Sequence, residues 1–435
     1  MQFRIVPTVS AILLLLNSLF VAAPQAQQPK PVTTTTGKPK APKLTSHIVL
    51  ITISGLRADH ANEPESFRLK TPNLQSLRAN GSHAVGVESV YPSLRIPAHV
   101  SMMTGVLPAD HSITSDFPFD EQTGTQSASP FQSAKTIKTD TIWEAAYRAE
   151  MTTAAIGFPM TTDASIKFNL PETEKDSDIS KTETAIGLIE KHQPNLLAVN
   201  FTSLDTAQSR HGLLSTEAKS AMEKIDGLIG NIVSAIESAK LKTETTFLIV
   251  SDRGASKVEQ EFRLNAWLAK KGFLTTDSQG NLKTWRAVAQ TFGGSAAIYL
   301  KNTQDETTTK ELEKLFLELE KDSDNPLWRI IARREAARLG ADPRAAFFLD
   351  AAPSFQISAR ANGSTTAKTT DRTAYGYLPS RAEMRGSLFM SGKAIKARQR
   401  IEYMRLIDVA PTIARLLGLE MKTARGRVLS EVIVQ

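Results

Sequence analysis

From His47 onward the chain alternates short, continuous apolar runs with stretches of helical periodicity. The runs HIVLITI (47–53), TTAAIGF (152–158), NLLAVNF (195–201), TTFLIVS (245–251), AAIYL (296–300) and SLFMSG (387–392) read as buried strands. Helical patterns cover 181–191, 216–239, 308–320 and 410–417. Strands joined through helices need crossover connections, which implies an α/β fold with a mostly parallel sheet covered on both faces. One domain is expected over 47–435, with a small insertion subdomain at about 256–300. Four strand ends carry short polar groups: Ser54-Gly55, Asp205, Asp252-Arg253, and Tyr375 ahead of a Gly. In open α/β sheets ligands lie outside the carboxyl ends of the strands, so these four stretches are the place to look for a site.

The first 46 residues follow a different pattern. Arg4, an apolar centre over 11–23 and small residues near Ala26 have the layout of a secretory signal peptide, expected at 1–26, with an uncleaved signal anchor as the alternative. The Pro/Thr/Lys-rich stretch 27–46 reads as an extended tether. Export to the periplasm or secretion is therefore expected, and the membrane enters only through an uncleaved segment.

Composition narrows the chemistry. The chain of 435 residues has no cysteine, which removes disulfides, thiolate metal ligands and Cys nucleophiles together. A formal net charge of +7 without interleaved aromatic residues or a nucleic-acid motif reads as solvated surface, and no nucleic-acid partner is expected. Trp143, Trp267, Trp285 and Trp328 are expected to pack in the core or between domains rather than to stack on a ligand. DNPLWRIIARREAARLGADP (324–343) reads as an amphipathic helix with a basic outer face, and ANGSTTAKTTDRTA (361–374) as a loop.

Several stretches, taken together, carry a resemblance. They are TPNLQSLRANGSHAVGVESVYPSLRIPAHVSMMTGVLPADHSI (71–113), TIWEAAYRAEMTTAAIGFP (141–159), DTAQSRHGLLSTEAKSAMEKIDGLIGNIVSAI (205–236), LIVSDRGA (248–255), AYGYLPSRAEMRGSLFMSG (374–392) and IDVAPTIARLLGL (407–419). In this order they resemble the type I phosphodiesterase/nucleotide pyrophosphatase branch of the alkaline phosphatase superfamily. The resemblance implies an alkaline phosphatase-like fold and a two-zinc site. There a Thr or Ser attacks a phosphodiester, and the two dications stabilise the attacking and leaving oxygens.

Carried over by position, the family's first metal-binding Asp falls on Ser54 and its nucleophile on Arg95. The next Asp is kept as Asp205, and the His four residues later falls on Ser209. Asp252 is kept, the His beside it becomes Arg253, and the last His becomes Tyr375. Only Asp205 and Asp252 survive, one for each ion, so metal is expected there only if those two carboxylates retain it. Zinc needs three or four donors, and a guanidinium cannot attack phosphorus. No cofactor is expected, although zinc serves the family. His211 offers an imidazole two residues past Ser209, but a His before Gly in a loop is normally an exposed polar residue. His99 is expected to support packing.

Arg95 and Arg253 appear where the site lost its metals. They are expected to replace the metal charge, with Asp252 paired to Arg95 and Arg253 as a further partner. The alternative is an anion pocket formed by both guanidiniums. The resulting expectation is an exported pseudoenzyme that binds a phosphorylated or sulfated small molecule or a protein partner. Two other readings stay open: a hydrolase rebuilt around Asp205, Asp252 and Ser54, and a structural envelope protein held through the tether.

Overall fold

The computed structural model describes residues 43–434, apart from 174, 322 and 323. The expected signal segment and the tether up to residue 42 lie outside the described residues. The last tether positions do not: the amides of Leu44 and Thr45 donate to the Leu416 carbonyl, and that of Ser46 donates to Glu244. This stretch is part of the fold, so the tether ends earlier than the sequence pattern suggests.

The central sheet has eight strands in the order Gln399–Ile401, Gly81–Ala84, Leu388–Gly392, Thr245–Val250, His47–Ile53, Leu196–Phe201, Thr153–Ile156, Phe168–Leu170. The five strands from Thr245–Val250 to Phe168–Leu170 run parallel, while Leu388–Gly392 is antiparallel to both neighbours. The apolar run 47–53 is continuous because both faces of its strand are covered. Ile48 and Leu50 face a core completed by Ala98, Met102, Trp143 and Leu416. Val49, Ile51 and Ile53 face another, filled by Ile189, Ile225, Ile229 and Ile232 of the helices Asp178–His192 and Thr216–Ser238. This is the sheet covered on both faces that the sequence predicts.

A second, antiparallel sheet has the order Ala287–Thr291, Ser295–Leu300, Phe347–Ala351, Leu327–Ala332. Its core holds Phe262, Trp267, Trp285, Phe316 and Phe347, so this layer runs well past residue 300. Three sequence expectations are corrected here. Residues 327–332 form an edge strand and only Arg333–Arg338 is helical, because Leu-Trp-Arg-Ile-Ile favours a pleated, half-buried surface. Trp328 projects from that edge at 62% exposure, with the Arg381 guanidinium 5.6 Å from its ring centroid, whereas the other three tryptophans are buried. The Thr-rich segment is not wholly a loop: Thr366–Lys368 and Thr373–Ala374 pair with Ser256–Arg263.

Candidate functional site

The register of the central strands sets Ile53 beside Phe201 and Thr52 beside Val250. Their carboxyl ends therefore open into the same crevice. Gly55 follows at φ +77°, and a Cβ there would stand 3.0 Å from Asp205 Oδ1. Both the left-handed turn and the close carboxylate call for glycine. The Gly55 amide donates to Asp252 Oδ1 at 3.1 Å, tying the first strand end to the third.

Arg253 lies at the centre of this crevice, and none of its surface is exposed. Its Nη2 donates to Asp205 Oδ2 at 2.9 Å, its Nη1 donates to Asp252 Oδ2 in direct contact, and its guanidinium stacks 4.0 Å from the Tyr375 ring centroid. Three of the predicted positions, Asp205, Asp252 and Tyr375, thus converge around a fourth, the Arg253 cation. Burial works against the charged guanidinium, but Asp205 and Asp252 more than offset it and raise its pKa. Nε of Arg253 is buried without a partner. Ser54 is fully buried, with its hydroxyl directed at Asn200 Oδ1 3.5 Å away. Ser209 lies on the helix Ser203–His211, exposed on the rim of the cavity that Tyr375 also lines.

Arg95 does something else. It opens the helix Arg95–Thr104, and its Nη1 donates to Glu172 Oε2 at 2.6 Å, with both side chains 27% exposed. The expected Arg95–Asp252 pair does not form, because Arg253 occupies Asp252 and Glu172 occupies Arg95. Glu172 also meets Nζ of the buried Lys181 at 3.3 Å, and Lys181 donates to the Asn200 carbonyl at 3.0 Å. Burial opposes ionisation of Glu172, yet Arg95 and Lys181 hold its carboxyl below the ordinary value. Arg95 and Glu172 line a cleft of about 590 Å³ together with Phe131, Phe158 and Met160.

His99 supports packing, as its position suggests. It is buried against Phe158, its Nδ1 lies 2.8 Å from the Arg95 carbonyl, and its Nε2 lies 3.3 Å from Thr52 Oγ1. A Thr52–His99–Asp252 chain can be traced, with 3.9 Å between His99 and Asp252, but all three side chains are closed to solvent. Thr52 donates its one proton to Asn200 Oδ1 at 2.8 Å. These contacts are structural. Burial lowers the pKa of His99 and keeps the ring neutral. His211 is at a helix end and not in a loop; it lines a separate groove with Arg210 and Lys257 and does not face Ser209's cavity.

Four residues that matter here escaped the sequence reading: Glu172, Lys181, Asn200 and Asp116. The Asp116 carboxylate accepts the Ile96 amide at 2.7 Å, capping the Arg95–Thr104 helix from 20 residues away, and burial raises its pKa. Asn200 and Lys181 did carry a signal, each being a polar residue at a core position of a strand or helix. The long-range cap and the Glu172 pairing had none.

The donor set does not fit a pair of zinc ions. Asp205 and Asp252 remain, but the space between them is filled by a guanidinium hydrogen-bonded to both. Ser54, Ser209 and Tyr375 offer neutral hydroxyls where the metals of such a site need anionic oxygen or imidazole. Among the described residues no three His, Asp or Glu side chains gather as a metal cluster.

Comparison with known proteins agrees with this architecture. The sequence model for type I phosphodiesterase/nucleotide pyrophosphatase matches residues 48–378. An uncharacterised pyrophosphatase/phosphodiesterase of Schizosaccharomyces pombe is 25% identical over 224 residues, 48% of this chain and 44% of that protein. Mouse ectonucleotide pyrophosphatase/phosphodiesterase family member 1 is 22% identical over 218 residues, 47% of this chain and 24% of that protein. The matched region thus spans less than half the length of these relatives. Among solved structures, an inactive variant of murine ectonucleotide pyrophosphatase/phosphodiesterase 5 in complex with AMP superimposes with a TM-score of 0.72 at 19% identity. It covers 89% of this chain and all of that one.

Proposed function

The chain belongs to the type I phosphodiesterase/nucleotide pyrophosphatase family, and from that premise we propose that it is an exported member retaining the fold as a binding scaffold rather than as a dizinc hydrolase. The observation that carries this reading is the Asp205–Arg253–Asp252 triad. A fixed, buried, permanently charged group stands where the family chemistry needs two exchangeable dications. Arg95 at the nucleophile position supports the same reading, since its guanidinium stays protonated and is already paired.

Of the two guanidiniums expected to hold an anion, Arg95 is the one that reaches solvent, in the cleft beside Glu172 and Phe158. A phosphorylated or sulfated small molecule in that cleft is the ligand class this reading favours; the AMP bound by murine ectonucleotide pyrophosphatase/phosphodiesterase 5 is a related case. Export is supported by the N-terminal pattern and by the names of the ectoenzyme relatives. No helix among the described residues is long and apolar enough to cross a membrane.

The test is turnover of an activated aryl phosphodiester with zinc supplied. No rate above the protein-free blank is expected. Hydrolysis that disappears in Asp252→Ala would instead establish a rebuilt hydrolase.

A further inference from the structure

Glu172 holds two cations at once on the wall of the Arg95 cleft. Its Oε2 accepts Arg95 Nη1 at 2.6 Å, its Oε1 lies 3.3 Å from Lys181 Nζ, and Thr202 Oγ1 stands 3.5 Å from the same Oε1. These donors come from three elements: the helices Arg95–Thr104 and Asp178–His192, and the N-cap of Ser203–His211. The fold makes room for Lys181 in particular. Its side chain is 2% exposed, and a Cβ at Gly157, where φ is +62°, would stand 2.7 Å from its Cε. Lys181 does not depend on Glu172 alone, because the Asn200 carbonyl accepts it at 3.0 Å and Asp178 Oδ1 lies 3.8 Å away. Asp178 is itself fixed by the amides of Thr202 and Ser203, each at 3.1 Å. Glu172 is 27% exposed and follows the edge strand Phe168–Leu170. Arg95, Lys181, Glu172 and Asp178 together are neutral, so withdrawing Glu172 leaves one positive charge for an external anion to balance.

We propose that the Glu172 carboxylate occupies an oxyanion site formed by Arg95, Lys181 and Thr202, and that the phosphate or sulfate group of a small molecule binds by displacing it. This deepens the reading of the Arg95 cleft given above and rests on it. The carboxylate of the chain stands in for the ligand's anionic group: one oxygen serves Arg95, the other Lys181 and Thr202. A partly exposed ion pair is weak enough for a charged ligand to replace. Until it is replaced, the apparent affinity is reduced by the fraction of molecules in which the site stands open. Asp176, the other carboxylate on the cleft wall, accepts the Thr173 amide at 2.8 Å and pairs with none of the three donors. It provides the control for a general charge effect.

Calorimetric titration of the purified protein with sodium sulfate and with AMP, at constant ionic strength, tests it. Glu172→Gln keeps the side chain's size and is expected to bind both about fivefold to tenfold more tightly than the wild type, by removing the internal competitor. Asp176→Asn should gain less than about twofold, as a nearby charge without a bond to the site. Arg95→Ala in the Glu172→Gln background should lose the gain. Unchanged or weaker binding by Glu172→Gln would overturn the proposal, because Glu172 would then hold Arg95 in place for the ligand. An equal gain in Asp176→Asn, or a gain that survives Arg95→Ala, would overturn it as well. Binding that depends on Arg95 but is no tighter in Glu172→Gln defeats the displacement and leaves the reading of the cleft standing; no binding by either protein defeats both.

Discussion

The resemblance puts Arg253 and Arg95 at neighbouring site positions as an expectation, and the fold treats the two side chains in opposite ways. Arg253 is fully enclosed, bonded to two carboxylates and stacked on Tyr375. Arg95 is 27% exposed and held by Glu172 alone on the wall of an open cleft. The first completes the interior and the second remains available. Charge type alone therefore says little about role; burial and partner count decide it. An enclosed guanidinium bonded to two carboxylates is bound by its own protein, whereas one with a single, partly exposed partner can still meet a ligand.

The sharpest test of this contrast is Arg253→Ala. Removing the cation leaves Asp252 buried and Asp205 partly buried without compensation, and the expected loss is about 3–5 kcal/mol in urea unfolding. A loss no larger than that of an average surface substitution would erase the distinction.

A double-mutant cycle sharpens it. Asp252→Asn in an Arg253→Met background should recover at least about 1 kcal/mol, because it neutralises the charge that Arg253 left behind. No recovery would mean that Arg253 acts by packing and not by charge.

Acid probes the buried interior behind the helix that Arg95 opens. His111 accepts the Ile113 amide on Nδ1 and meets Ser101 of the Arg95–Thr104 helix through Nε2 at 2.8 Å, and burial pushes its pKa down to about 3. The folded value lies below the unfolded one near 6.5, so its contribution is complete above that pH and is lost as pH falls. Stability should drop by about 1.4 kcal/mol per pH unit from this residue below pH ~6. Buried His99 adds in the same direction. The Arg95–Glu172 pair, its carboxyl held low, should persist over that range. Urea midpoints at pH 7.5, 6.5 and 5.5, compared with His111→Asn, measure the slope; a variant with the wild-type slope would contradict the assignment.

The smallest stability effect belongs to Arg95→Ala, within about 1 kcal/mol, since its pair is partly exposed and Glu172 keeps Lys181. The same change should abolish any thermal stabilisation by AMP or sulfate. Retained stabilisation would remove Arg95 from the binding role.

Much of the fold was legible because it is encoded locally. The run 47–53 gave a strand covered on both faces, and 216–239 gave a helix that the structure places at Thr216–Ser238. Leu327–Ala332 was misread because a short apolar stretch fits both periods, and its pairing with Phe347–Ala351 settles the matter. The site divides similarly. Convergence of Asp205, Asp252, Arg253 and Tyr375 followed from strand ends and family positions. Pairing did not: two arginines and several carboxylates allow more than one arrangement, and Arg253 took both neighbours only because its side chain starts beside Asp252 and reaches Asp205. Glu172 and Asp116 act from loops whose approach to Arg95 and Ile96 depends on tertiary structure.

The central claim is that a protein cation has replaced the metal charge between Asp205 and Asp252. Elemental analysis of the purified protein after incubation with zinc and removal of the excess tests it most directly. The account predicts far less than one zinc per chain, whereas stoichiometric zinc lost on Asp252→Ala would contradict it.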